Sequence, residues 1–204
     1  MMVINDIKYK LPSSNYLKIE NTKTQIVIGH TNNNGMKHYN GWLHRHNGKY
    51  QKTAAFTIDV SGSVYKHFEP KFQSKYFDDK EIEEKSIVIL LDNDGWLLKD
   101  KVKNQYITWV GHIYKEPIKI IEKKWRGYNY WTPYTEEQME SAKDLVKFLC
   151  NEFNIPMISI IHNTKVENFN GYEGVIYKSN LERYFTDLSP AWNFQEFKNK
   201  IEKN

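Results

Sequence analysis

The 204 residues suit a single domain over 1–204, and 29 lysines and arginines against 25 aspartates and glutamates leave a formal net charge of +4. These charges are spread along the chain without the basic block that follows a phosphate backbone, so we expect no nucleic-acid polymer as partner. A single cysteine, Cys150, excludes a disulfide framework and a cluster of thiolate metal ligands.

The N-terminal stretch MMVINDIKYKLPSSNY has no basic region followed by an apolar one, and the chain has no apolar run of about 18 residues. The first absence argues against a secretory signal, and the second argues against a membrane span. The sequence therefore predicts a cytoplasmic protein without a membrane partner. For a phage-encoded chain, that compartment is the host cytoplasm.

Three apolar stretches predict a central sheet. QIVIGHT (25–31) is a short apolar run that ends in the polar turn NNNG, as a buried strand does at a sheet edge. AAFTIDVSGSVYKHF (54–68) predicts two strands joined by a turn at Ser61-Gly62. KSIVILLDNDG (85–95) contains a continuous apolar run, which indicates a strand buried on both faces.

The helix predictions depend on apolar residues spaced three and four apart. TEEQMESAKDLVKFLCNEFNIP (135–156) has this spacing, with a capping box of Thr135 and Gln138 at its start and Pro156 just beyond its end. Weaker patterns predict a helix over 36–46 and another after Asn193. Together with the strands, these elements predict an α/β domain in which helices cover a mixed sheet.

The segment between the third strand and the long helix, 97–134, is rich in aromatic residues. We expect it to form extra strands and one wall of a groove, where Trp125, Arg126 and Trp131 contact a ligand by stacking or by pairing with an anion such as a nucleotide. The alternative is that its aromatic residues pack on the sheet. Composition alone does not separate these two interpretations.

The order of these signals resembles the zinc-dependent N-acetylmuramoyl-L-alanine amidases of the type 2 family, which includes phage endolysins and peptidoglycan recognition proteins. The resemblance covers roughly residues 23–200. It is carried by IVIGHT, the hairpin around TIDVSG, the strand SIVILLDNDG, the helix start YTEEQ and the final segment GVIYKSNLERYFTDLSPAWNF. It implies an amidase-like α/β fold, with a mixed central β-sheet flanked by helices.

The resemblance also implies where a zinc site would lie. His30 matches the first zinc ligand and Asp187 the third, whereas Lys178 stands where the second zinc histidine belongs. An ammonium group has no lone pair to donate unless it is deprotonated at large cost, so Lys178 argues against a normal zinc site. We expect no cofactor and a Lys178–Asp187 pair beside a neutral His30. In the alternatives, Lys178 points to solvent, or zinc binds His30, Asp187 and a third ligand such as His162.

Other positions that the family uses in catalysis have changed. Ala54 and Ala55 replace a Tyr or His near the metal, and Ser74-Lys75-Tyr76 stands in place of His-x-Gly. Phe185 replaces the lysine or arginine that helps to stabilise the oxyanion in the family. The remaining histidines, apart from His30 and His162, are interpreted as exposed polar residues on loops or helix faces: His38, His44, His46, His67 and His112.

Three functions follow from these features. In the first, a catalytically degenerate amidase fold binds a small molecule or cell-wall fragment around His30, Lys178 and Asp187. One version of it is a phage protein that sequesters a host signalling nucleotide. In the second, an active zinc amidase hydrolyses the amide between N-acetylmuramic acid and L-alanine in peptidoglycan. In the third, the chain is an interaction protein with an idle cleft.

Overall fold

The computed structural model describes residues 2–115, 120–167 and 171–203, so a part of the predicted groove wall, residues 116–119, lies outside the described residues. The strands are β1 (Ile4–Asn5), β2 (Gln25–His30), β3 (Phe56–Ile58), β4 (Val64–Lys66), β5 (Ser86–Leu91), β6 (Trp96–Asp100), β7 (Gln105–Thr108), β8 (Ile121–Trp125), β9 (Tyr128–Trp131) and β10 (Gly174–Tyr177). The helices are α1 (Lys37–His44), α2 (Lys80–Lys85), α3 (Glu136–Phe153), α4 (Lys178–Leu181) and α5 (Phe194–Glu202).

The larger sheet has six strands in the order β1-β4-β3-β5-β2-β10. β2 runs parallel to both β5 and β10, and β3 is parallel to β5 but antiparallel to β4. Every residue of β2 and β5 is buried, because both strands lie inside the sheet and their continuous apolar runs face covering layers. The predicted α/β fold with a mixed central sheet is confirmed.

The parallel pairing decides where the site lies. β2 ends at His30, which pairs with Leu91 at the end of β5, and the last residue of β10, Tyr177, pairs with Ile28. Since the carboxyl ends of neighbouring parallel strands meet at one edge of a sheet, the residues that follow β10 lie beside His30. Lys178 is the first of these residues.

The long helix follows its sequence pattern closely. In α3 the Thr135 hydroxyl accepts a hydrogen bond from the Gln138 amide at 3.1 Å, and the Gln138 side chain accepts one from the Thr135 amide at 3.2 Å. This is the predicted capping box. The helix ends at Phe153, because Asn154 adopts a left-handed conformation. Its apolar face packs on the sheet, and α5 packs against it.

The predicted extra strands are also present. β7, β6, β9 and β8 form, in that order, an antiparallel sheet of four strands. Among the helices in the described parts of the chain, none combines the length and the apolar character that crossing a bilayer requires.

Candidate functional site

The edge of the sheet brings together three residues that are far apart in the sequence. The Asp187 carboxylate lies beside the end of β2, where its Oδ2 accepts a hydrogen bond from the His30 backbone amide at 3.1 Å. This approach requires a glycine next to His30, since a Cβ on Gly29 would lie 2.5 Å from that oxygen. The structure therefore places His30, Lys178 and Asp187 in one cluster.

Lys178 is held by charge and by aromatic rings. Its Nζ is 3.5 Å from Asp187 Oδ2 and donates a hydrogen bond to the Tyr76 hydroxyl at 3.2 Å. The centres of the Phe185 and Tyr76 rings lie 4.4 and 5.0 Å from Nζ, within the range of cation–π attraction. Burial alone would lower the pKa of Lys178, but Asp187 and Tyr76 outweigh it and the pKa is raised. The side chain is therefore a charged ammonium, only 14% exposed.

Both ring nitrogens of His30 have side-chain partners. Nδ1 lies 2.7 Å from the Tyr134 hydroxyl, and Nε2 lies 2.9 Å from Asn32 Oδ1. The Tyr134 hydroxyl accepts a hydrogen bond from the Ser189 amide and donates its own proton to Nδ1, because in a neutral ring Nε2 must carry the proton that faces the Asn32 amide oxygen. Nε2 then donates to the amide oxygen of Asn32. This tautomer is neutral, in agreement with the pKa of His30, which burial lowers.

This donor set does not fit a catalytic zinc ion. Such an ion needs about three protein ligands with free lone pairs, plus water. Lys178 is charged, and neither ring nitrogen of His30 has a free lone pair in this arrangement. Over residues 2–115, 120–167 and 171–203, there is no group of three or more His, Cys, Asp or Glu side chains that could hold a metal ion.

His162 does not complete the cluster. The segment before it makes an isolated parallel bridge between Ser159 and Val175 and is not part of a named strand. His162 itself is exposed in a loop. There its backbone carbonyl accepts a hydrogen bond from Asn180 and its Nδ1 lies 2.8 Å from the Thr164 hydroxyl. Among the described residues, His162 does not join a group of three or more His, Cys, Asp or Glu side chains that could hold a metal ion.

Two other histidines, His38 and His67, form a buried polar chain on a different part of the sheet, so the interpretation of these two as exposed residues is wrong. His67 Nδ1 lies 2.7 Å from the Tyr9 carbonyl, which can only accept, so His67 donates there. Its Nε2 is 2.9 Å from the Thr57 hydroxyl, and that hydroxyl is 3.1 Å from His38 Nε2. Burial lowers the pKa of His67 to about 4 and that of His38 to about 3, so both rings are neutral at pH 7. His38 Nε2 must then donate to the Thr57 hydroxyl, which in turn donates to His67 Nε2.

This direction leaves His38 Nδ1 as a bare acceptor. It is buried without a hydrogen bond, 3.8 Å from Asp92 Oδ1. Burial raises the pKa of Asp92 to about 6, against an ordinary value of 3.8, although hydrogen bonds from the Met36 amide and the Thr31 hydroxyl oppose the shift. A protonated Asp92 can donate toward His38 Nδ1. An ionised Asp92 instead places its negative charge opposite the lone pair of that nitrogen.

We therefore expect Asp92 to make stability depend on pH. Because its folded pKa is raised, its favourable contribution is complete below about pH 4 and is lost as the pH rises through about 6. Relative to Asp92→Asn, the native protein should lose about 3 kcal/mol of unfolding free energy between about pH 4 and pH 7.5. Urea denaturation at both pH values measures this difference. The exposed Asp78→Asn is the control, and equal pH dependence of the native protein and Asp92→Asn would contradict the expectation.

The predicted groove wall differs from its expected role. Trp131 is fully buried, and its indole donates to the Lys123 carbonyl at 2.7 Å, so the prediction that it contacts a ligand is wrong. Trp125 is partly buried, with its ring 4.5 Å from the Arg126 guanidinium. The Arg126 guanidinium is bonded to backbone carbonyls rather than free for an anion. The interpretation as packed hairpin residues therefore applies to Trp131.

A cavity of about 430 Å³ opens on the other side of Lys178. Aromatic residues form much of its lining: Tyr50, Tyr76, Phe77, Tyr184 and Phe185. Such a volume accommodates a small molecule, and the mixture of flat rings with a few polar groups is typical of ligand sites. Lys178 lies between this cavity and Asp187.

Sequence reasoning assigned no role to Asn32, Tyr76 or Tyr134 in this cluster. Asn32 follows His30 by two residues in a turn, a spacing that signals proximity but not contact. Tyr76 and Tyr134 are more than a hundred residues in sequence from Lys178 or His30, respectively, so only the packing of distant segments brings them in. Both tyrosines lie in stretches compared with the family, YTEEQ and Ser74-Lys75-Tyr76, but neither comparison indicates a contact with His30 or Lys178.

Comparison with known proteins agrees with the fold. A family model described as N-acetylmuramoyl-L-alanine amidase matches residues 20–174, a range that includes His30 and stops before Lys178 and Asp187. A search of curated proteins found no match.

Several solved structures share the fold. N-acetylmuramoyl-L-alanine amidase LysC from Clostridium intestinale URNW is 15% identical over 100% of both chains, with a TM-score of 0.55. A mutant form of PlyL is 12% identical over 100% of both chains, with a TM-score of 0.57. The ectodomain complex of peptidoglycan recognition proteins LCa and LCx with tracheal cytotoxin is 11% identical over 94% of this chain and 93% of that one, with a TM-score of 0.54. Identities this low establish a shared fold alone.

Proposed function

Because the chain belongs to the N-acetylmuramoyl-L-alanine amidase family, we propose that it binds a cell-wall fragment at the carboxyl edge of its sheet without hydrolysing it. The observation that carries the proposal is the Lys178 ammonium, which lies 3.5 Å from Asp187 in the place where the resemblance puts a zinc ligand. Its charge balances the buried carboxylate as a cation would, but it cannot activate water for attack on an amide.

The groups around the cluster support binding rather than hydrolysis. Hydrolysis of an amide needs an activated nucleophile and a donor that stabilises the developing oxyanion. His30 is neutral and has partners on both ring nitrogens, and Phe185 presents a hydrocarbon ring where a cation stands in the family. Phe185 and Lys178 line the aromatic cavity, which suits a ligand held by contact alone.

The charges that line the cavity favour a peptidoglycan fragment over a nucleotide. Two lysines, Lys52 and Lys178, face three acidic residues, Asp78, Asp79 and Glu182. Lys52 is 2.6 Å from Asp78, and Lys178 pairs with Asp187 outside the cavity. A nucleotide phosphate needs uncompensated cations, which this lining does not offer, whereas sugar rings and amides can stack on its aromatic faces.

A second candidate is a zinc amidase, favoured by the retained pair of His30 and Asp187, which are in direct contact. It requires that Lys178 move away and that a third donor enter. The two functions differ in one measurable outcome, the release of L-alanine amino groups from peptidoglycan.

The test combines binding with cleavage. Purified protein is mixed with insoluble peptidoglycan, with and without added zinc, and both co-sedimentation and newly released amino groups are measured. We expect co-sedimentation without release under either condition. Tyr76→Ala and Phe185→Ala, which remove rings from the cavity, should weaken co-sedimentation, and Val102→Ser, at an exposed position, serves as the control. Release of amino groups by the native chain would overturn the proposal in favour of the amidase.

A further inference from the structure

Arg126 makes an unusual set of contacts from the tip of the β8–β9 hairpin. Residues Arg126 and Gly127 both have positive φ, +47° and +85°, which makes the turn tight and directs the arginine out of the small sheet. Its Nη1 donates to the carbonyls of Glu182, at 2.9 Å, and Phe185. Its Nη2 donates to Ser179, at 2.8 Å, and more weakly to Asn163, at 3.4 Å.

Three of these four carbonyls belong to the segment that directly follows Lys178 in the chain. Ser179 lies in α4, and Glu182 is the residue that follows its last turn. The last carbonyls of a helix have no partner within the helix, and a cation at that end satisfies them and interacts favourably with the helix dipole. Arg126 therefore acts as a C-terminal cap for α4, supplied by a different sheet.

The same bonds place the aromatic wall of the cavity. Phe185, whose carbonyl accepts from Arg126, has its ring 4.4 Å from Lys178 Nζ. Leu181, Glu182, Tyr184 and Phe185 form one side of the cavity. The Trp125 ring, 4.5 Å from the guanidinium, supports Arg126 from behind. One side chain thus connects the four-stranded sheet to the wall of the cavity.

We propose that Arg126 is the positioning residue of the Lys178 cavity, which holds the wall of residues 179–185 in place so that the small sheet sets how far the cavity opens. The inference builds on the proposed function, in which this cavity receives the ligand. A lysine can substitute only in part, because one ammonium lacks the planar fork that reaches several carbonyls at once.

The test uses Arg126→Met and the milder Arg126→Lys, with Lys124→Met as a matched control, since Lys124 is an exposed cation of the same hairpin. Two local readouts are recorded by mass spectrometry: backbone hydrogen exchange, and the rate at which acetic anhydride acylates Lys178 relative to the exposed Lys75. Neither readout requires a ligand.

In Arg126→Met we expect exchange over residues 179–187 and acylation of Lys178 each to rise about tenfold, as suits the loss of one or two net hydrogen bonds. Exchange in β2 and β5 should stay at the native rate. Arg126→Lys should recover only part of the protection, and Lys124→Met should match the native chain.

Three outcomes would overturn the inference: native rates in Arg126→Met, a rise that is equal in β5 and in residues 179–187, or full recovery by Arg126→Lys. The second would mean that Arg126 only contributes to global stability. These results are independent of the proposed function, because peptidoglycan cleavage would overturn that proposal without changing local exchange, and unchanged exchange would leave co-sedimentation intact.

Discussion

Asp187→Ala is expected to lower the free energy of unfolding by about 3–5 kcal/mol, the range found when one partner of a buried ion pair is removed. The Asp187 side chain is 2% exposed and that of Lys178 is 14% exposed, so little solvent reaches the ammonium that would remain. The variant also leaves the His30 amide without its acceptor. Urea denaturation at pH 7 measures the change.

The controls for Asp187→Ala separate charge from packing. Lys52 and Asp78 form an ion pair at 2.6 Å whose side chains are 45% and 88% exposed, so Asp78→Ala should cost about 1 kcal/mol or less. The double variant Lys178→Met with Asp187→Asn removes both charges and should recover much of the lost stability. A cost for Asp187→Ala as small as that for Asp78→Ala would show that the buried pair contributes nothing.

Lys178→His is expected to give a protein that retains about one zinc per chain after dialysis, whereas the native chain retains almost none. The substitution replaces an ammonium by an imidazole next to Asp187 and His30, and so provides a third donor. To bind the metal, one ring nitrogen of His30 must give up its present hydrogen bond, that of Nδ1 with Tyr134 or that of Nε2 with Asn32. Metal content is measured by mass spectrometry of the dialysed protein.

A stability measurement accompanies the metal analysis. A ligand that binds only the folded state at one hundred times its dissociation constant stabilises that state by about 2.7 kcal/mol, so zinc should raise the melting temperature of Lys178→His and leave that of the native chain unchanged. Lys178→Met removes the same charge without adding a donor and should bind no zinc. One equivalent of zinc in the native protein would contradict the proposal that Lys178 replaces the metal and would make the zinc amidase the better candidate.

The resemblance located His30, Lys178 and Asp187, because the order of motifs along the chain is a property of the sequence. It could not show what each side chain contacts. The Lys178 ammonium depends on Tyr76 and Phe185, and the neutral His30 depends on Tyr134 and Asn32, all brought in by packing. The sequence thus identifies the three residues of the cluster, and the structure shows the charge state and the partners of their side chains.

The errors in the sequence predictions have one physical cause. Trp131 and Arg126 lie in a segment whose composition suits a groove wall, but composition does not determine the direction of a side chain. Trp131 points into the small sheet, and Arg126 points to the carbonyls of another segment. Each direction is decided by contacts with distant residues.

By itself, the sequence determined the elements whose signals are local. The apolar runs of β2 and β5 specify buried strands, and the spacing and capping box of α3 specify an amphipathic helix. Only the tertiary structure decided that Asp187 accepts from His30 across 157 residues and that Arg126 caps α4 from another sheet. The apolar pattern and the capping residues of a segment are encoded in that segment, whereas a contact between segments depends on how the whole chain packs.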